Sequence, residues 1–396
     1  MRQRLTIIFA AILLAVATSP AGAGTARVLA LGDDDQFLVD EANVLRWYAD
    51  LVAHPDLAFV ELGDPVHGQD RAFAGRSLIG HGGGVHLRLD TDGTWGTVAF
   101  TFEDRLVRGA NDGAFSLLWG RRLGGVDVGL GGRFTTFGRS RAGTAVGDRI
   151  DSEYLHQYEF GVAGPLRDGL RLELAGEVIN TLTESSGALY RLSAREWTSF
   201  GLRARGLVEV SPTVTLVPAV DYTRILRALD SALLGGPADR DAYQTSLGLG
   251  ANLRPDADTL VLISSEYRVG RDDLRERGAG GADLAWQRSD REYYQLRGRV
   301  GLETEVLPWL TARVAVQYVR LHEEVDRRHA DGGARDARNL EAVATPLAFG
   351  LGLRQGRLTV DLMYNDTAPV NAGLQAEGLF AGDGPGMAAV TVGWSF

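Results

Sequence analysis

From Leu57 to the C-terminus the chain alternates apolar and polar residues with a period of two, and no helical stretch interrupts the series. Three segments show this best. In residues 170–178, Leu170, Leu172, Leu174 and Val178 share one face while Arg171, Glu173 and Glu177 share the other. In residues 294–303, Tyr294, Leu296, Val300 and Leu302 oppose Gln295, Arg297, Arg299 and Glu303. In residues 357–364, Leu358, Val360, Leu362 and Tyr364 oppose Arg357, Thr359 and Asp361. Each pattern predicts a strand with one apolar and one charged face. In the last strand Val390, Val392, Trp394 and Phe396 share a face that finishes in two aromatics, for which a lipid wall is the expected cover.

Turn signals at 90–93, 123–125, 164–168, 211–212, 254–256, 307–308 and 354–356 alternate with longer polar connections at 63–78, 104–112, 138–151, 182–195, 227–240, 271–290, 323–342 and 365–385. Short and long connections alternate in this way when short turns face the periplasm and long loops face outward. The predicted fold is therefore all-β, a transmembrane antiparallel β-barrel of about sixteen strands. Fourteen strands remain open if residues 57–62 or a weaker hairpin are not part of the wall. Trp95, Trp119, Trp197, Trp309 and Trp394 near strand ends suit interfacial girdles.

Ahead of the alternating region the period changes. Val44, Trp47, Tyr48 and Leu51 fall at i, i+3, i+4 and i+7, which predicts an amphipathic helix with Asp40 as N-cap and a plug in the barrel as its role. Before it, Met1-Arg2-Gln3-Arg4, an apolar run from residue 5 to 17 and Ala21-Gly22-Ala23 fit a cleaved signal peptide. The expected organisation is a signal peptide at 1–23, an N-terminal periplasmic or plug segment at 24–56 and the barrel at 57–396. The expected location is the outer membrane of a Gram-negative cell.

Composition narrows the chemistry. The 41 basic residues are all Arg, and without Lys neither a Walker-type phosphate loop nor a Schiff-base cofactor site can exist. Absence of Cys removes disulfides and thiolate metal sites. A net charge of −10 without an Arg-rich block argues against a nucleic-acid partner. His81 and His86 are an odd number of residues apart and would face opposite sides of a strand, and His322 and His329 fall in a stretch rich in Arg, Asp and Glu. His156 has Asp151 and Ser152 nearby in sequence, but no motif fixes them as a catalytic set. Asp33-Asp34-Asp35 lacks the spacing of a calcium loop. Neither enzyme activity, a metal site nor a cofactor is expected.

The charged faces form the largest constellation. Arg88, Arg133, Arg171, Arg203, Arg205, Arg268, Arg297, Arg299, Arg313 and Arg357 are expected in the lumen with Glu103, Asp127, Glu159, Glu173, Glu177, Glu209, Asp221, Glu266, Glu303 and Asp361. The signs nearly balance, which predicts ion pairs across the lumen around a narrow path; a salt-bridge ladder filling a closed interior is the alternative. Glycines in Gly129-Leu130-Gly131-Gly132 and Gly248-Leu249-Gly250 are expected as small lumen-facing wall positions. Gly82-Gly83-Gly84 and Pro218 each predict a bulge.

The C-terminal strand through Val392, Trp394 and Phe396 resembles the assembly signal of Gram-negative outer-membrane β-barrels, which implies the barrel-assembly machinery as a partner besides the membrane lipids. Ala30-Leu31-Gly32, Asp40, Ala42, Val44, Ala49 and Leu51 resemble the opening of FadL-type outer-membrane transport proteins, with Trp47-Tyr48 where that family has Asn-Pro. The resemblance implies an N-terminal plug and passive uptake of small hydrophobic solutes through a side opening in the wall. A general diffusion porin and a non-transporting scaffold barrel are the alternative functions.

Overall fold

The computed structural model of the protein describes residues 25–32, 36–39, 41–63, 81–91, 93–107, 110–144, 147–187, 190–229, 238–277, 286–329, 335–366 and 387–396. The signal-peptide residues, Asp33-Asp34-Asp35 and Asp40 lie outside the described residues. After a short helix α1 (Thr25–Ala30) and two 3-10 turns (Glu41–Leu45 and Tyr48–Ala53), everything described is strand and turn.

The strands are β1 (Leu57–Gly63), β2 (His81–Arg88), β3 (Thr97–Val107), β4 (Ala110–Leu123), β5 (Val126–Thr144), β6 (Gly147–Arg167), β7 (Leu170–Gly187), β8 (Tyr190–Ser211) and β9 (Val214–Leu229). They continue with β10 (Ala238–Leu253), β11 (Thr259–Arg277), β12 (Trp286–Leu307), β13 (Leu310–His329), β14 (Arg335–Ala344), β15 (Leu347–Gln355), β16 (Leu358–Asp366) and β17 (Met387–Ser395). Each strand pairs antiparallel with its sequence neighbours, and β14 and β15 both pair with β13 in one continuous register interrupted at Thr345-Pro346. They are one wall strand, so seventeen segments make a closed sixteen-stranded barrel. The seam is β17 on β1, from Leu57 opposite Ser395 to Gly63 opposite Ala389, and Phe396 N donates to the Asp56 carbonyl at 3.0 Å.

Strand phase decides which side chains meet lipid. On β7, Leu172 and Leu174 are exposed on the outer surface while Glu173 and Glu177 are buried inside; on β12, Leu296, Val300 and Leu302 face out while Gln295 and Arg299 face in. The outer surface forms an apolar belt with aromatic rims. Trp95 and Trp309 stand exposed at the short-turn end, where Trp119 Nε1 donates to the Trp95 carbonyl at 2.8 Å, while Tyr158, Tyr243, Tyr267, Tyr294, Tyr318 and Tyr364 stand toward the other end. Nine residues from Trp309 to Tyr318 cover ~30 Å along a strand, or ~23 Å of membrane depth at ~40° tilt, close to the ~25 Å apolar band of outer-membrane barrels.

Short turns occur at or beside all seven expected positions, and Gly124 and Gly125 adopt the positive φ of +57° and +90° that a two-residue hairpin requires. Near 164–168 the turn itself is Asp168-Gly169, and Pro165 belongs to β6, next to a register shift. The long connections differ more. Residues 104–107, 138–144 and 271–277 are continued strand, so several stretches expected as loops are wall that rises past the belt. In those stretches apolar and polar residues no longer alternate in the sequence, so the pattern does not mark the strand. No bulge occurs at either expected position: β1–β2 and β2–β3 keep continuous register through Gly82-Gly83-Gly84, and β8–β9 keeps the same register on both sides of Pro218.

Candidate functional site

The site is the interior, and the N-terminal segment builds it. Thr25 N donates to Glu61 Oε1 at 3.0 Å and Ala26 N to Thr391 Oγ1 at 3.2 Å, which seats α1 against the seam. Arg27 then donates to both oxygens of Glu303 on β12, and Gln317 Nε2 on β13 donates to the Gly32 carbonyl at 3.2 Å. Phe37 packs over Gly248 and Gly250 on β10, and its carbonyl accepts from Asn252 Nδ2 at 2.9 Å. Arg46 reaches Asp221 on β9 at 3.2 Å, and Tyr48 Oη donates to Glu177 on β7 at 3.1 Å. The backbone of Tyr48 and Ala49 lies on Gly129 and Gly161 of β5 and β6, and Leu51 lies on Gly120 of β4. His86 on β2 donates from Nδ1 to the His54 carbonyl at 2.9 Å, and the chain enters the wall at β1.

The described residues between 25 and 56 therefore follow one another around the inside of the barrel, a circuit that passes the strands in broadly descending order. Described contacts cluster near the short-turn ends, so the circuit occupies that half of the lumen. Glycine at the contact points allows it. A Cβ at Gly301 would stand 2.6 Å from the Leu31 carbonyl oxygen, and one at Gly248 would stand 2.6 Å from the Phe37 ring. Most of the circuit's side chains are buried, with Val28, Leu31, Phe37, Val44, Trp47, Tyr48 and Leu51 at 0–2% exposure, while Val39 is exposed. Val44, Trp47, Tyr48 and Leu51 pack together with Ala99, Leu118 and Ala175 of the wall.

The expected amphipathic helix at these positions is instead a pair of 3-10 turns. An amphipathic helix needs a wet face; here Asn43 and Asp50 are as buried as Leu51. Asp50 is held by Arg205 at 2.7 Å, a partner with no sequence proximity.

The charged faces meet sideways. Arg203 bridges Glu177 and Asp221, Arg205 holds Glu173, Arg133 holds Glu103, and Arg313 donates to Glu303 at 2.6 Å and Asp361 at 2.5 Å. Arg171 joins Glu173 to Asp127, and Arg268 and Arg299 share Glu266. Arg297 is half-buried and opposite Glu266 in register. Arg88 lies at the short-turn mouth on Asp56 at 3.2 Å, and Arg357 lies in the turn between β15 and β16, so neither lines the middle of the lumen. Among the described residues these ion pairs do not cross the lumen as predicted. A sixteen-stranded barrel is ~30 Å wide, beyond the reach of an Arg and a Glu from opposite walls. The pairs run between nearby strands and inward to Arg27, Arg46 and Asp50 on the circuit.

Those three charged residues were not legible as site residues in the sequence. The available signal was one acid, Asp50, set among Trp47, Tyr48 and Leu51 in a chain whose inner strand faces carry many Arg. Toward the long connections one sector of the lumen face carries an apolar cluster of Ala242, Tyr293, Leu321 and Ala342 with Ile225, where Tyr293 Oη donates to Gln244 Oε1 at 2.6 Å and the Arg291–Glu323 pair lies beside it. His322 contacts Glu324 on the outer surface, and no group of three metal-binding side chains occurs among the described residues.

No family model and no curated relative matches the sequence. Solved structures do. CdiB from Escherichia coli superposes with a TM-score of 0.51 at 12% identity, over 85% of this chain and 62% of that one, so the chain spans less than two thirds of its length. The toluene transporter TodX from Pseudomonas putida aligns over 96% of this chain and 98% of its own, at 11% identity and a TM-score of 0.43. The likeness to CdiB concerns the fold alone. Together with the closed register, the apolar belt and its aromatic rims, it makes the chain a sixteen-stranded outer-membrane β-barrel.

Proposed function

We propose that the protein is a transport barrel of the outer membrane that passes small hydrophobic solutes, in the FadL-like passive manner, with its N-terminal circuit as the closure. The inner circuit carries this reading. Eight strands enclose a space that wall side chains can fill, whereas sixteen enclose far more. Here a separate segment closes that space at one end through hydrogen bonds and ion pairs, without a covalent link. A barrel serving only as an anchor has no need of a lumen that must be closed. The solute class rests on the apolar inner cluster of Ile225, Ala242, Tyr293, Leu321 and Ala342, where a water-filled porin presents polar groups. We read β17 as the strand presented to the barrel-assembly machinery.

Deleting residues 36–53 should raise single-channel conductance in planar bilayers. Unchanged conductance removes the closure. Ohmic conductance by the intact chain, with a trimer in detergent, would point to a general porin instead. No conductance and no uptake by either form would leave a scaffold barrel.

A further inference from the structure

We infer that Arg205 is the latch of the second arc of the circuit, residues 36–54, while the first arc, residues 25–32, is fixed separately. This rests on the proposed closure and adds how it is held. The Arg205 side chain is fully buried. Its Nε donates to Glu173 on β7 at 2.5 Å, its Nη2 to Asp50 at 2.7 Å, and its Nη1 to the carbonyls of Leu38 at 3.0 Å and Gln36 at 3.3 Å. The guanidinium also lies 4.3 Å from the centre of the Trp47 ring. One wall side chain thus binds four residues in two separated stretches of the second arc, and all three of its nitrogens are engaged. Because the guanidinium is a rigid plane, moving it disturbs those contacts together.

The first arc uses other groups: Thr25 on Glu61, Arg27 on Glu303, and Gly32 on Gln317. The wall beside Arg205 is also unusual. The ladder pairs Arg205 with Ala219 and resumes at Val208 with Leu216, leaving Gly206 and Leu207 opposite Pro218 and Val217 without ladder pairing. Pro218 has no N–H to give. Arg205 is therefore the last residue of β8 paired with β9 before a two-residue gap, where Gly206 and Leu207 are held on the other side by Leu172 and Arg171 of β7. Inside the gap lie Leu38, Phe37 and Val217, with Leu207 packed on them.

The sequence contains no cysteine, so single cysteines report access directly. Val44→Cys marks the second arc and Val28→Cys the first; both positions are buried. The readout is reaction with a charged maleimide in reconstituted vesicles, with conductance recorded on the same preparations. Removing Arg205 alone strands two buried carboxylates, so the test variant combines Arg205→Met with Asp50→Asn and Glu173→Gln. The latch predicts labelling of Val44→Cys about tenfold faster by local opening, no change at Val28→Cys, and the conductance steps seen on deleting residues 36–53. Arg205→Lys, which keeps the charge and loses the fork, should fall between. An equal rise at both cysteines means general loosening, and no rise at Val44→Cys means Arg205 does not hold the arc; either result overturns the latch while the closure stands if the deletion conducts. If the deletion does not conduct, the closure fails and the latch fails with it.

Discussion

Two glycines on β12 separate the wall from what it encloses. Gly301 faces inward, where an added Cβ would stand 2.6 Å from the Leu31 carbonyl oxygen and 3.3 Å from the Leu31 carbonyl carbon and Cα. Gly298, three residues away on the outer face, has nothing within 4 Å of the same added atom. Ordinary contact begins at 3.4 Å, so Gly301→Ala requires a shift of 0.8 Å between strand and circuit. Little can give: the obstacle is backbone, and Arg27 on Glu303 ties the circuit to this strand at 2.7 Å. Overpacking of this kind costs ~1–3 kcal/mol. Gly298→Ala meets no obstacle and gains the ~0.5–1 kcal/mol by which Ala exceeds Gly within a strand. The two variants should therefore differ by roughly 1.5–4 kcal/mol in urea unfolding followed by tryptophan fluorescence in lipid vesicles. Repeating the pair in a chain lacking residues 25–35 should abolish the difference, because additivity fails only between groups that touch. Equal midpoints in the full chain, or a difference that survives the deletion, would falsify the inner circuit at this point.

Other substitutions test the remaining contacts. Leu172→Arg places a charge on the lipid face and should cost ~2–4 kcal/mol near midplane, measured by refolding into vesicles; an inward Leu172 would make it mild. From sequence alone Glu173→Gln is expected to be mild, but Glu173 accepts from both Arg205 and Arg171, so a loss of up to ~3 kcal/mol now follows in the same assay. Arg313→Ala removes the arginine that joins Glu303 to the buried Asp361, with Glu303 keeping Arg27, and should destabilise by ~3 kcal/mol, whereas Asp241→Ala removes an exposed outer pair with Arg224 and should leave the unfolding midpoint unmoved.

The wall was legible because membrane and lumen impose opposite demands on alternate residues. Leu172 beside Glu173 and Val300 beside Arg299 cannot exchange faces without putting a charge in lipid, so strand phase follows from local order. The turns were legible for a similar reason: Gly124-Gly125 can hardly be anything but a tight hairpin. Both signals fade where apolar and polar residues stop alternating, which is why parts of β3, β5 and β11 were expected as loops.

The interior required the tertiary structure. Val44, Trp47, Tyr48 and Leu51 carry a helical spacing, yet they lie in 3-10 turns, because the segment follows the curved wall and the polar Asn43 and Asp50 are buried as well. Asp50 meets Arg205 across 155 residues, and Arg27 meets Glu303 across 276. No local pattern records such partners, since any acid on the circuit could face any of the inward arginines until barrel closure sets the azimuth and height of each strand. Sequence by itself determined a closed barrel with lipid outside and charge inside. Only closure in three dimensions decided that those charges pair along the wall, and that the N-terminal segment circles within them.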